Sequence, residues 1–448
     1  MAGPEENCQS RRRFLFLQGP IGPFFGMLAD NLRRVGHQVN RINFNGGDRL
    51  FWRGAGAVDY RGGARDWPQF LARHLSQWGI TDIVLFGDCR PLHRAASQLA
   101  LLRGVPVHVF EEGYLRPNWV TLETGGVNKH SSMPRSAEWF TAAAASLKPW
   151  NPGQPVLNNF KRRAAEDVLY NLVTLLTAWA YPSYRSHKPW HPLAEYAAGA
   201  KRFPLKPLAR RRKAALLGEI AARKQAYYLF PLQLDADSQI RFHSPFGRMA
   251  PAIERVIGSF ARHAPRDALL IVTEHPLDTG LVKLQHMTRE YALAAGVAER
   301  IVYLEGGSPD ELVRNSQGVA TVNSTMGILA LTFGVPVVAM GHAIYDMPQL
   351  TFQGGLDRFW NEAQAPDAAA FDAFRRVVAV RTQVNGGFYS RVGLQLVVEG
   401  AGRRLAAANH KVFPAPVREY PGIAGESPCE SIPGLAAGVW DDAEAISK

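Results

Sequence analysis

The stretch YYLFPLQLDADSQIRFHSPF, Tyr227 to Phe246, passes from a continuous apolar run into a polar loop holding Gln233, Asp235, Asp237, Ser238, Gln239 and Arg241. A short apolar strand ending in clustered carboxylates and amides is how an open α/β sheet delivers chemistry to its carboxyl edge. Two later stretches repeat the pattern: LLIVTEHPLDTG (Leu269 to Gly280) and GVATVNSTMGILAL (Gly318 to Leu331). The place where these three loops meet is the candidate site.

Outward from this centre, strand and helix patterns alternate. Arg13 to Gln18, Gln38 to Ile42, Thr81 to Phe86 and Val105 to Phe110 read as strands, with helices over 27–35, 67–78 and 93–103 between or beside them. Short, continuously apolar strands alternating with helices imply a parallel sheet covered on both faces. After Tyr227 the alternation resumes, with strands near Leu269, Ile301, Val319 and Val337 and closing helices over 369–380 and 395–407. The expected fold class is therefore α/β and GT-B-like, two Rossmann-like domains facing across a cleft. The expected boundaries are 11–150 for the first domain, 151–224 for a helical, basic connection, 225–410 for the second domain and 411–448 for an irregular tail rich in Pro, Gly and acids. No internal repeat of fixed period is visible.

With 448 residues, 46% hydrophobic and 20% charged, the chain is a folded protein of more than one core. Its three cysteines, Cys8, Cys89 and Cys429, are odd in number and far apart, which fits a reducing compartment better than a disulfide framework. The N-terminus lacks the pattern of a signal peptide. The longest apolar-rich run, Val168 to Tyr181, has 14 residues, too few to span a bilayer, and reads as buried or interfacial. Fifty-one Lys and Arg against 39 Asp and Glu give a net charge of +12, which favours an anionic partner without choosing among nucleic acid, phosphorylated substrate and acidic lipid. Nine cations lie between Arg185 and Lys213 against one acid, Glu195, interleaved with Tyr184, Trp190, Tyr196 and Phe203. A solvated face explains such a run, and so does an anionic bilayer surface.

Each motif has an ordinary structural explanation beside a chemical one. Asn323, Ser324 and Thr325 stand where a strand turns into a helix, so a hydroxyl can cap the helix or the helix end can hold a phosphate. His275 and Pro276 follow a strand directly; the imidazole can donate to a phosphate or simply brace the strand end, and Asp278 can orient the same loop. Asp235 and Asp237 share a face in an extended chain, where one could serve as nucleophile or base, although DADS is also common turn composition. Glu111 and Glu112 close another strand, with Arg116 beyond, and adjacent carboxylates can hold one protonated as a general acid. Gly19, Gly22 and Gly26 do not match the dinucleotide-binding spacing, so no nicotinamide or flavin is expected.

Taken together, LQGPIGPFF after Phe16, FGDCRP (Phe86 to Pro91), FEEGYLRP (Phe110 to Pro117), PLQLDADSQI (Pro231 to Ile240), EHPLD (Glu274 to Asp278), the NSTMGILAL…GVPVV pair (Asn323 to Val338) and YDMP (Tyr345 to Pro348) resemble the bacterial capsule polysaccharide biosynthesis family. The likeness is greatest to its KpsS-type β-Kdo transferases, Kdo being 3-deoxy-D-manno-octulosonic acid. The resemblance implies a retaining GT-B enzyme that moves Kdo from CMP-Kdo to a lyso-phosphatidylglycerol-type lipid, starting the capsular linker. It places the nucleophile on Asp237, with Gln233 and Asp235 beside it and Gln239 a further candidate, and the acid/base on Glu111 or Glu112, with Glu111 preferred. It assigns the CMP phosphate to His275, Ser324 and Thr325, next to Pro276 and Asn323, and the Kdo carboxylate to Arg116. Asp88, Arg90 and Asp278 are further site candidates. It implies no metal and no cofactor beyond the donor substrate, no nucleic acid, and a cytoplasmic protein peripheral to the inner membrane of a Gram-negative bacterium, in contact with other capsule assembly proteins. The chain departs from the family pattern at Thr273, where a lysine is expected two residues before His275. The alternatives are a non-catalytic capsule assembly or export scaffold, a GT-B enzyme for another nucleotide sugar, and a nucleic-acid binder.

Overall fold

The computed structural model describes residues 11–52, 54–157, 159–202, 218–220, 222–305 and 309–407. Two sheets organise them. The first holds β1 (Arg13–Phe16), β2 (Gln38–Asn43), β3 (Ala57–Asp59), β4 (Asp82–Phe86), β5 (Val107–Glu112), β6 (Trp119–Thr124) and, from far along the chain, β12 (Gln383–Asn385), in the order β12-β6-β5-β4-β1-β2-β3. The second holds β7 (Tyr227–Pro231), β8 (Leu269–Glu274), β9 (Ile301–Glu305), β10 (Gly318–Thr321) and β11 (Val337–Ala339), in the order β11-β10-β7-β8-β9.

Counted from its own first strand, each sheet has the same parallel core order, 3-2-1-4-5, that of a Rossmann fold. The α/β class and the pairing of two Rossmann-like units therefore hold. The strands are almost wholly buried because helices cover both faces. In the first unit Phe14, Phe16 and Val84 pack on one side with Phe24, Leu28 and Val397, while Leu15, Ile83 and Leu85 pack on the other with Trp67 and Leu71. In the second, Phe230, Leu270 and Val272 pack with Ile253, Phe260 and Trp360.

Sequence patterning missed β3, β6 and β12. All three are short or carry polar residues, and β6 and β12 form an antiparallel edge, β6 pairing with β5 and β12 with β6. Such an edge lacks the long apolar run of a buried parallel strand.

The chain divides into two compact units, and the division differs from the expected boundaries. One unit takes the described residues of Met1–Ser132, Pro152–His187 and Thr382–Lys448, the other those of Met133–Asn151 and Lys188–Arg381. The Ala137–Ala144 helix belongs with the second unit because Phe140 packs edge-on against Phe374, 5.1 Å between centroids, and Arg376 donates to the carbonyls of Ala144 and Lys148 at 3.0 and 2.9 Å. Residues 382–407 return to the first unit. There the Arg391–Ala407 helix buries Leu394, Val397, Ala401 and Leu405 among Phe14, Phe24 and Leu28. The expected basic connection is likewise split. The Phe160–Leu176 helix joins the first unit and the Pro192–Arg202 helix the second. Lys206 and Arg210 to Lys213, like the 411–448 tail, lie outside the described residues.

Because the first unit's core is completed from the far end of the chain, Val397→Asp is expected to cost more than about 3 kcal/mol through an unpaired buried charge. The check is chemical unfolding, and residues 11–150 expressed alone should fail to give a cooperative transition.

Candidate functional site

In a doubly wound sheet the crevice opens where neighbouring strands send their loops to opposite faces. In the second unit that place lies between β7 and β10. Gln233, just past β7, donates through Nε2 to Asn323 Oδ1 at 3.0 Å, and its Oε1 accepts the Asn323 backbone N–H at 3.3 Å. The Asn323 amide then donates to the carbonyls of Gln239 at 2.8 Å and His243 at 3.0 Å. The two side chains, both buried, thus tie the Asp237 loop to the Ser324 turn. They are braces for the site, and their polar atoms are already engaged within the protein.

The two aspartates divide their work. Asp235 Oδ1 accepts the N–H of Met249 at 2.8 Å, fixing the start of the Met249–His263 helix. Asp237 is half-buried and caps the short Ser238–Arg241 helix through Gln239 N–H at 3.0 Å. At the turn after β10, Ser324 Oγ accepts the N–H of Met326 at 3.2 Å, while Thr325 makes no side-chain cap. A hydroxyl that accepts one bond still has its own hydrogen to give. Tyr345 hydroxyl donates to the Ser324 carbonyl at 2.6 Å, and a Cβ on Gly327 would strike the Tyr345 ring, so only glycine fits there.

Strand β8 lies on the other side of β7, and Leu232 N–H reaches the Thr273 carbonyl at 2.8 Å, which brings the His275 loop to the same edge. His275 Nδ1 accepts the Leu277 N–H at 3.1 Å, which favours the tautomer with its proton on Nε2. Pro276 follows it in the loop, and Asp278 Oδ1 accepts Gly280 N–H at 2.6 Å.

A cation reaches this loop from another part of the chain. Arg202, the last residue of the Pro192–Arg202 helix, bridges Glu274 at 2.5 Å, Asp278 at 3.3 Å and Glu305 at 3.4 Å. Burial works to lower the Arg202 pKa, but the three carboxylates outweigh it and hold the guanidinium above its ordinary value. Glu274 also accepts Tyr303 hydroxyl at 3.0 Å; burial dominates and pushes its carboxyl up to about 6 despite Arg202.

In the first unit the crevice lies between β1 and β4, and a glutamine again bridges it. Gln18 Oε1 accepts Arg90 Nη1 at 2.8 Å, and its Nε2 donates to Tyr170 hydroxyl at 2.9 Å and to Asp48 at 3.3 Å. Burial first, then the Asp48 charge, raise the Tyr170 phenol well above its usual value, so it stays protonated and donates to Asp48 Oδ1 at 3.0 Å. Asp88 is buried and structural: it accepts Val127 N–H at 3.1 Å, His130 Nδ1 at 3.0 Å and the Cys89 thiol at 3.3 Å.

Glu111 and Glu112 are the last two residues of β5, not a turn after it. Successive strand residues point to opposite faces, so they cannot act on one atom as an adjacent pair. The Glu111 carboxylate lies near Gly87, on the side of Arg90: a Cβ built on Gly87 would sit 3.5 Å from Glu111 Oε2 and 3.9 Å from Arg90 Nε. Glu112 instead approaches Arg163 of the Phe160–Leu176 helix at 3.9 Å. Arg116 is exposed in the turn before β6 and donates to Gly113 carbonyl at 3.3 Å, which gives a carboxylate-binding role no support.

Residues missed by sequence reading are Gln18, Tyr170 and Arg202. For Gln18 a signal existed: LFLQ before Gly19 parallels FPLQ before Leu234, each a strand followed by Leu-Gln. For Arg202 there was none, since its partners lie 72 to 103 residues away.

Residues 81–389 match the model of the capsule polysaccharide biosynthesis protein family. The chain is 36% identical over 385 residues to the Escherichia coli capsule polysaccharide export protein KpsS, covering 85% of this chain and 97% of the relative. It is 34% identical over 397 residues to the capsule polysaccharide modification protein LipB of Neisseria meningitidis, covering 86% and 93%. Among solved structures it is similar to the β-Kdo 2,7 transferase of Thermosulfurimonas dismutans KpsC, at 12% identity and a TM-score of 0.42 over 88% of this chain and 100% of that one.

Arg202→Ala should leave the Glu274 cluster without its counter-charge and cost about 3 kcal/mol at pH 8. The fold already holds the Glu274 proton more tightly than the unfolded chain does, so ionisation costs stability as pH rises from the ordinary 4.5 to about 6. Without Arg202 that loss extends above pH 6. The deficit measured by denaturant titration should therefore grow with pH, and adding Glu274→Gln should recover most of it.

Proposed function

The chain belongs to the capsule polysaccharide biosynthesis family, and from that premise we propose that it is a retaining β-Kdo transferase. It takes Kdo from CMP-Kdo and attaches it to a (lyso)phosphatidylglycerol acceptor. The observation that carries this reading is the edge formed by β10, β7 and β8, where the Asp237, Ser324 and His275 loops are hydrogen-bonded side by side.

Four side chains act there on the donor. Asp237 attacks the anomeric carbon as the bond to the CMP phosphate breaks, and CMP leaves with the electron pair. His275 Nε2, the Ser324 hydroxyl and the Thr325 hydroxyl donate to the departing phosphate, a role suited to groups aimed at developing charge. Gln233 and Asn323 hold these loops in register. Two inversions in succession return the starting configuration, which is the logic of a retaining transfer. In the second step the acceptor oxygen attacks the anomeric carbon and displaces the Asp237 carboxylate, while Glu111 takes the proton of the acceptor hydroxyl. Glu112, on the opposite strand face, takes no part in the chemistry. An acceptor of this kind brings the protein to a membrane surface, and no helix among the described residues is long and apolar enough to cross one.

A second reading has support from the export role in the name of the Escherichia coli relative: a capsule assembly scaffold without chemistry. Incubation with CMP-Kdo and a short-chain lyso-phosphatidylglycerol decides between them. A β-linked product supports the transferase, and an intact protein that binds CMP yet forms no product supports the scaffold.

Asp237→Asn should lower transfer by at least about 10³-fold while CMP affinity, read by calorimetry, stays within about threefold. Glu111→Gln should lower transfer by about 10²- to 10⁴-fold, and Glu112→Gln by less than about fivefold. Equal losses at both glutamates would remove the assignment by strand face.

A further inference from the structure

The Phe160–Leu176 helix is turned inside out relative to an ordinary surface helix. The side packed on its own unit is small and polar: Tyr170 bonds Gln18 and Asn45, Thr174 Oγ1 reaches Asn45 Oδ1 at 3.4 Å, and Gly46 and Gly47 leave room for Thr177, Thr174 and Tyr170. Of the whole helix only Tyr170 is buried. The outward side carries Val168, Leu169, Leu172, Leu175 and Leu176, continued by Trp179 just beyond its end. Their spacing of three and four residues makes one continuous stripe. Leu172 is 49% exposed, Leu176 65% and Trp179 83%. Isolated apolar residues on a surface are ordinary, whereas a contiguous stripe marks something to be covered.

We infer that this outward face is a docking surface for an anionic lipid bilayer. From Ala165 to Leu176 its exposed side chains include no charge and no hydrogen-bonding group. A protein interface would carry donors and acceptors at intervals, while a lipid surface asks for none. The acids of the helix are turned aside and paired, Glu166 with Arg162 at 2.8 Å and Asp167 with the Asn171 amide at 3.2 Å. Cations stand at both ends, with Lys161 exposed on the stripe's own side at the start and Arg185 exposed beyond the finish. Cations that snorkel to the headgroups and a tryptophan at the rim complete the pattern of a helix lying in the plane of the membrane. On its inward side the helix carries Arg163, which approaches Glu112 at the end of β5, so the helix itself adjoins the strand that presents Glu111. The inference deepens the lipid-acceptor reading and rests on it for its purpose, though the surface is tested separately.

The test is flotation of the full-length protein with phosphatidylcholine vesicles, with and without phosphatidylglycerol. Wild type should bind the anionic vesicles, more weakly at high salt. Leu172→Glu with Leu176→Glu should weaken binding by at least about tenfold. Leu101→Glu with Leu102→Glu, on another exposed helix end, should leave it unchanged. An environment-sensitive dye at Leu172→Cys should shift to the blue on adding vesicles, a readout that does not depend on the doubly substituted protein folding. Binding unaffected by the Leu172/Leu176 pair overturns the inference. So does an absence of vesicle binding together with self-association that the same pair abolishes, which would mean a second copy covers the face. If vesicles bind as expected but no Kdo transfer to a soluble acceptor is seen, the surface stands and the transferase reading falls.

Discussion

A crevice at the carboxyl edge of a parallel sheet exists because two neighbouring strands send their chains to opposite faces, and something must stop that gap from leaving buried backbone unpaired. In both sheets a glutamine placed just past the first strand bridges the gap. Gln233 gives and receives a hydrogen bond with Asn323, and Gln18 receives one from Arg90 while giving others to Tyr170 and Asp48. A primary amide suits the task because it carries donor and acceptor on one rigid plane. The remaining site residues are where they are because these bridges hold the loops.

The same loops carry residues that hold the backbone and residues to which the proposed chemistry is assigned. Asn323 and Asp235 bond the backbone of neighbouring elements, as does Asp88 in the first unit. Asp237, His275 and Ser324 each hold a turn as well, so in the proposed chemistry they combine bracing with contact to the donor. Arg202 plays a third part. Three carboxylates at one strand edge would repel one another, and a single guanidinium with its fork of donors reconciles them.

The Phe160–Leu176 helix joins the two themes of the molecule. Its inner face is polar because it closes the network around Gln18, and its outer face presents an exposed apolar stripe. Composition pointed to an anionic surface through the cation-rich segment after Arg185. In the folded chain part of that segment has other work, since Arg202 is engaged with Glu274, Asp278 and Glu305. The reading of Val168 to Tyr181 as buried or interfacial could not be narrowed from sequence, because period alone does not say which face a helix turns inward.

Period and turn chemistry in the chain itself determined the α/β class, the two Rossmann-like halves and the three loops around Gln233, His275 and Asn323. An apolar run bounded by polar turns becomes a buried strand whatever its distant neighbours are. Tertiary structure alone decided the rest. It returned residues 382–407 to the first unit, where Val397 and Leu405 complete a core begun by Phe14, and it brought Arg202 to Glu274. It also set Glu111 and Glu112 on opposite strand faces. Those outcomes depend on which surfaces meet across long separations, and a one-dimensional pattern records which surfaces need covering but not by what.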